Sequence, residues 1–192
     1  MSTKEKILNS AYKLISQKGF EKTSISNICK DVGIQKPSIY YYFNSKNDIL
    51  FELSDHIINN IVSDFNNDIN TCKEINDKEN YKLFLITLVE RYINRFHMNK
   101  DSQLVFTELY IQSNRIPFLE SKKNKLTKIT KNWIENILKH GLELNIFKND
   151  FNLKLNTELI FNNLLGIECS CIYNLNINYP SVWQAIIITL FK

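Results

Sequence analysis

Five side chains with binding chemistry fall in one short run: Lys36, Pro37, Tyr40, Tyr41 and Tyr42. Lys36 supplies a cation that can meet a phosphate oxygen or a base edge. The tyrosines offer hydroxyls to phosphate oxygens and ring faces to thymine methyls. Three consecutive residues on a helix point about 100° apart, so at least one of these rings must be exposed. Tyr40 is expected to pack against the first helix. Lys46 stands at the start of the next predicted helix, where an ammonium beside backbone N–H groups makes a phosphate anchor. Ser24 and Ser26, upstream, are placed to meet the opposite backbone of a duplex. The chemistry this set suits is contact with double-stranded DNA.

Such contacts need a rigid apolar footing, and the neighbouring residues provide one. Ser24 reads as the N-cap of a helix that buries Ile28, Cys29 and Val32. Gly33 stands where a left-handed residue ends that helix at little cost, and Ile34 plugs the turn into the core. A helix over about 36–43 follows. Pro37 is tolerated only in its first turn, and Ile39 and Phe43, four apart, face inward. The first helix, Thr3 to Lys18, opens with a Ser2–Glu5 capping box and stops at Gly19. It buries Ile7, Leu8, Ala11, Leu14 and Ile15. The spacing is that of a helix-turn-helix with a recognition helix.

These residues resemble the tetracycline-repressor (TetR/AcrR) family of bacterial regulators. The matching pattern runs Ile7-Leu8, Ala11, Leu14, Gly19-Phe20, Thr23-Ser24-Ile25, Ile28 and Gly33-Ile34. It continues through Lys36-Pro37-Ser38-Ile39-Tyr40-Tyr41-Tyr42-Phe43, Ser45-Lys46 and Leu50. The resemblance covers about residues 4–52. It implies an all-α subunit of about nine helices, with an N-terminal three-helix DNA-binding head over residues 1–48. A helical-bundle body for ligand binding and dimerisation then occupies residues 49–192. By position, Lys36, Pro37 and Tyr41 match base-contacting sites, and Ser24, Tyr40, Tyr42 and Lys46 match phosphate-contacting ones. Gln35 and Pro37 replace the commoner Ser and Gly, Tyr42 a frequent His, and Cys29 an Ala. These changes bear on operator sequence.

Charge placement agrees with this division. Residues 1–48 hold eight Lys/Arg against four Asp/Glu, and the remainder holds sixteen of each, so the first quarter carries the whole excess of +4. With 44% hydrophobic and 23% charged residues, and only 4 Gly and 3 Pro, long helices are favoured over many short strands. A long fourth helix is expected from Ser45 to about Asn66, then a polar stretch over 66–80. Further helices are expected over Tyr81–Met98, Ser102–Asn114, Pro117–Leu144, Asn156–Asn174 and Pro180–Phe191. The soft domain boundary is placed near Leu50. The four cysteines have no zinc-ligand spacing, the chain opens without an apolar leader, and Ala185–Phe191 is too short to span a bilayer. A cytoplasmic protein with no membrane partner is expected.

In the body, Tyr92, Phe96, Phe106, Tyr110, Trp133 and Phe161 are the candidate lining for a small, largely apolar effector. Glu90, Arg91 and Glu108 are candidate polar anchors. The last two long helices are the candidate homodimer interface. Small or polar Asn163, Gly166, Ser170, Ala185 and Thr189 allow close approach there, while Leu159, Ile167, Tyr173, Val182, Trp183 and Ile186 supply apolar area. Nucleotide-binding and hydrolase signatures and HExxH are absent, and His56, His97 and His140 lack metal-ligand spacing, so neither an enzyme nor a cofactor is expected. The resemblance implies a repressor that a ligand releases from operator DNA by shifting the fourth helix. The alternative is a protein of the same fold acting as an activator or through a protein partner.

Overall fold

Ser2 opens the first helix as its sequence predicts: the Ser2 hydroxyl accepts from the Glu5 N–H, and the Glu5 carboxylate accepts from the Ser2 N–H. The structure is a computed structural model that describes residues 1–97, 100–173 and 175–191, and the side chains of all of these except 95–97. Helix α1 runs Thr3–Lys22, longer than the expected stop at Lys18. Gly19 does leave helical geometry, at φ 81°, a region that favours glycine. One further turn forms beyond it because the Thr23 hydroxyl donates to the Gly19 carbonyl at 2.8 Å and the Thr23 N–H to the Phe20 carbonyl at 3.1 Å.

Helix α2 spans Ile25–Val32 and α3 Lys36–Tyr40. Ser24 caps α2, exchanging hydrogen bonds with Asn27. Gly33 adopts φ 76°, and its N–H and that of Ile34 both return to the Cys29 carbonyl, at 2.9 and 3.0 Å. Helix α3 ends three residues before the expected Phe43, but Phe43 still turns inward with Ile39. Helix α4 covers Lys46–Lys73, a turn or two beyond the expected Asn66. Its Asn-rich end is helical because Phe65, Asp68 and Cys72, at helical spacing, are all buried.

Helices α5 (Lys78–His97), α6 (Lys100–Ser113), α7 (Pro117–Glu143), α8 (Leu153–Ile172) and α9 (Tyr179–Ile188) complete nine helices among the described residues. The fold is all-α; an isolated antiparallel bridge joins Phe147 to Phe191. Asn152, rather than Asn156, caps α8, and Asn178 rather than Pro180 opens α9. Each accepts the N–H three residues on, which places the helix start earlier than proline spacing suggests. The expected ends at Met98 and Asn174 lie outside the described residues.

The helices form two compact units. One comprises Met1–Asn60 with Asn99–Lys125, the other Ile61–Met98 with Leu126–Lys192. In the first, Ile7, Leu8, Ala11 and Ile15 of α1 meet Ile28, Ile39, Phe43, Ile49 and Leu50, and Val105 of α6 and Leu119 of α7 join the same cluster. Each fully buried Ile or Leu contributes about 1.5–3 kcal/mol. Tyr12 of α1 hydrogen-bonds Ser102 of α6, and Gln112 of α6 reaches Glu108 and Glu21. In the second unit, Trp183 of α9 donates to the Leu85 carbonyl of α5 at 2.7 Å, and Tyr81 donates to the Ile137 carbonyl of α7 at 2.8 Å.

Candidate nucleic-acid interface

Helix α3 is a five-residue platform whose orientation is fixed from beneath. Ile39 and Phe43 are buried in the first unit's core, and Pro37 occupies the first turn, where its missing N–H costs nothing. Gln35 makes no side-chain cap, so the turn and the proline set the start of the helix. Everything else on α3 faces outward. Lys36, Pro37 and Ser38 are exposed, and Tyr40, Tyr41 and Tyr42 are 52%, 84% and 38% exposed. Tyr40 therefore does not pack under the first helix. Because α3 ends at Tyr40, the next two tyrosines sit in a turn rather than circling a helix, and no ring is drawn inward. Tyr41 and Tyr42 meet edge to face, with centroids 5.0 Å apart.

Ser24 and Ser26 are exposed at the start of α2. The Ser24 oxygen accepts from Asn27, which leaves its O–H able to donate outward; Asn27 is also held by Lys18 Nζ at 2.8 Å. Lys13 of α1 pairs with Asp31 of α2 at 3.2 Å, which ties the helices that carry the platform. Lys46, expected as a phosphate anchor, also has partners within the chain. Its Nζ donates to the Phe20 carbonyl at 2.9 Å, reaches the Glu21 carbonyl at 3.5 Å and sits 4.1 Å from the Phe20 ring centroid. It thus closes the C-terminus of α1, with one ammonium proton left over. Its side chain is half-buried beside the first turn of α4, and Ser45 and Asp48 cap that turn.

The six aromatic residues marked for an effector divide between the units. Tyr92, Trp133 and Phe161 are buried in the second; Phe106, half-buried, and Tyr110, 53% exposed under Lys123, belong to the first. Phe96 lies outside the described side chains. Phe65 of α4, not singled out from the sequence, completes a stack: it lies 4.2 Å from Trp133 at 7°, and Tyr92 lies 5.8 Å from Trp133 at 16°. Its signal was the spacing of Phe65, Asp68 and Cys72, masked by the surrounding asparagines. The Tyr92 hydroxyl donates to the carboxylate of Glu168 on α8. Burial pushes that carboxyl up to about 7, against the opposing pull of the tyrosine. Glu168 was also missed, although a lone acid among Leu164, Ile167 and their neighbours was visible. Burial and the Asp68 charge push the Cys72 thiol up to about 12, so it is not a nucleophile. Arg91 pairs with Asp68 at 3.6 Å, Glu90 is exposed, and Glu108 serves Gln112 in the other unit.

Along α8, Leu155, Leu159, Asn162, Gly166, Cys169 and Tyr173 make an exposed stripe, with Asn163 and Ser170 half-buried beside it. On α9, Val182, Ala185 and Thr189 are exposed and Ile186 is half-buried. Ile167 and Trp183 are buried and belong to the core, because each lies roughly a third of a turn round its helix from the stripe. No group of histidine, cysteine or carboxylate side chains among the described residues could hold a metal ion, and no described helix is long and apolar enough to cross a membrane.

Residues 7–53 match the family model of bacterial regulatory proteins of the tetR family. Over 155 residues the chain is 24% identical to the fatty acid metabolism regulator protein of Bacillus subtilis, covering 81% of this chain and 76% of that one. It is 33% identical over 107 residues to the biofilm operon negative transcriptional regulator IcaR of Staphylococcus aureus, 48% of this chain and 51% of that one, about half of each. Among solved structures, FadR from Bacillus subtilis in complex with stearoyl-CoA superposes with a TM-score of 0.73 at 20% identity, covering 98% of this chain and 97% of that one. A TetR transcription regulator from Haloarcula marismortui gives 0.78 at 14%, covering 99% and 98%.

Proposed function

Because this chain belongs to the TetR family of bacterial regulatory proteins, and so is a transcriptional regulator and not an enzyme, we propose that it represses its target genes through α3. Residues 1–48 carry the DNA contacts in this reading. The observation that supports it most is the outward display of Lys36, Pro37 and three tyrosines over buried Ile39 and Phe43. Lys36, Pro37 and Tyr41 read base edges. Ser24, Ser26, Tyr40, Tyr42 and the remaining proton of Lys46 hold phosphates. Contacts of the first kind give sequence preference, and those of the second give register and salt dependence.

Members of this family bind operator DNA as dimers and respond to small molecules. The exposed stripe of α8 with Val182, Ala185, Ile186 and Thr189 of α9 is the surface we assign to the second copy. Apolar Leu159, Val182 and Ile186 supply area, and Asn163, Gly166 and Ser170 let the helices approach. The effector is small and largely apolar, and it meets the second unit around Tyr92, Trp133 and Phe161. The relative crystallised with stearoyl-CoA also binds a ligand with a long apolar part. Effector binding shifts α4 and with it the spacing of two recognition helices set one DNA turn apart, and repression ends. The cytoplasm, where operator and effector meet, is its place of action.

Fluorescence anisotropy of the purified protein against DNA from upstream of its own gene, with scrambled competitor at physiological salt, tests the reading. Binding that survives the competitor is expected. Weak binding lost equally to any DNA defeats it. An effector that tightens the complex instead of releasing it defeats the repressor assignment alone.

A further inference from the structure

A cleft of about 490 Å³ opens in the second unit between the middle of α7 and the first turns of α8, a size that suits a small molecule. Lys128 and Lys131 of α7 border it, together with Lys154 and Thr157 of α8. None of the stacked rings of Phe65, Tyr92 and Trp133 does. Thr157 stands apart from the other helical threonines. Thr71, Thr87, Thr107 and Thr130 each donate their hydroxyl to the carbonyl four residues back, at between 2.8 and 3.0 Å. Thr157 is 5% exposed, and its hydroxyl has no partner among the described residues, not even the Leu153 carbonyl. Buried hydroxyls of that kind are rare, because leaving one unmade loses the hydration of the group. A turn about χ1 exchanges methyl and hydroxyl, which offers the donor to whatever enters the cleft.

The charge around Thr157 leaves one sign to spare. Lys131 is held by both carboxylate oxygens of Glu158, at 2.8 and 2.7 Å, and Glu135, the other acid at the cleft, pairs with Lys139 at 2.7 Å. Lys128 and Lys154 are exposed, with no carboxylate partner among the described residues. Leu153 and Lys154 are also the first two residues of a 20-residue helix, and Asn152 caps the N–H of Leu155 rather than theirs. Those two N–H groups lie outside the helix's own ladder and carry the positive end of its dipole. A cationic ligand would meet two unpaired ammonium groups, and a neutral one would draw nothing from them. A carboxylate brings two oxygens to these donors, whereas a phosphate monoester brings three and most of a second charge. We propose that this cleft binds a phosphorylated small molecule, its phosphate held by Lys128, Lys154 and the start of α8, with Thr157 as the buried donor. This ligand site is additional to that of the apolar effector and stands without it.

Ribose 5-phosphate and glycerol 3-phosphate, each against its unphosphorylated parent at constant ionic strength, probe the cleft. In the ¹⁵N-labelled protein, the Leu153 and Lys154 amide resonances should shift saturably with at least one ester at millimolar concentration or below. Neither ribose nor glycerol should move them. The outward face of α3 also attracts phosphates, so location is checked by substitution. Lys128→Ala combined with Lys154→Ala should weaken ester binding about two- to thirtyfold, the range for two surface charges. Thr157→Val, which keeps the shape, should weaken it about tenfold, as loss of one hydrogen bond to a charged group does. The thermal midpoint of the free protein should not fall in that variant, because the hydroxyl has no bond there to lose. Lys36→Ala should leave ester binding unchanged. No shift at Leu153 and Lys154, equal shifts with the unphosphorylated parents, or binding lost in Lys36→Ala and kept in the cleft variants overturns the inference. Sulfate that binds as tightly as either ester overturns the assignment to a phosphorylated molecule. All of this is read without DNA, so it succeeds or fails independently of operator binding.

Discussion

Lys46→Ala should act on stability and on DNA binding together, and the two effects can be separated. The lysine lends α1 a charged hydrogen bond at 2.9 Å to the Phe20 carbonyl, a longer one to Glu21 and a cation–π contact at 4.1 Å. A charge-assisted hydrogen bond contributes about 1.5–3 kcal/mol and a cation–π contact near the surface about 0.5–1 kcal/mol. The Phe20 carbonyl keeps the Thr23 N–H at 3.1 Å after the truncation, and the lysine is only half-buried. The loss should therefore fall at the low end, about 1–2 kcal/mol. With a urea slope of about 2 kcal/mol/M, the unfolding midpoint should drop by about 0.5–1 M. If the third ammonium proton meets a phosphate, the slope of log K against log salt should shrink by about 0.9. All operator variants should weaken alike. An unchanged urea midpoint would refute the structural half. A weakened affinity with an unchanged salt slope would refute the phosphate contact and leave Lys46 acting only through the end of α1.

Tyr41→Ala, at the most exposed of the three rings, should leave stability within about 0.5 kcal/mol and change the ranking of operator variants; a flat base-by-base profile removes Tyr41 from the readout. Gly141→Ala should destabilise by about 1–3 kcal/mol, because a Cβ there would lie 2.6 Å from the Phe147 ring and the Tyr81 hydroxyl, and thermal unfolding at full length checks this. Glu168 binds its proton more tightly folded than unfolded, so its contribution to stability is complete below about pH 4.5 and is lost as pH rises to about 7. In Glu168→Gln this decline, on the order of 1–3 kcal/mol, should vanish from denaturation curves taken across that window, and an unaltered pH profile would show that the carboxyl titrates elsewhere.

The first fifty residues were legible because their signals are local and redundant. Ser2 with Glu5, Ser24 as a cap, Gly33 at positive φ and the inward pair Ile39 and Phe43 each announce themselves within four residues, and each holds in three dimensions. What the sequence obscured was longer in range. The bond from Lys46 to the Phe20 carbonyl crosses 26 residues and has no periodicity to betray it. The extension of α4 to Lys73 was hidden by asparagines that look like loop until Phe65, Asp68 and Cys72 are seen on one side. In the body, aromatic residues of similar type proved to belong to different units, Tyr110 to one and Trp133 to the other. Composition cannot make that distinction, because core and surface rings share the same helical spacing.

The cluster beneath α3 also has a practical consequence for anyone wishing to transplant it. Val105 and Leu119, from α6 and α7, are buried in the same core as Ile7 and Leu50. A gene fusion that splices residues 1–48 onto a foreign body would strip those two partners away and present apolar surface to whatever helix the host supplies. Grafting only the outward residues of α3 into a host that keeps its own footing avoids the cut altogether. On the proposed reading of α3, operator preference is thus better exchanged as a coat of paint than as a brick.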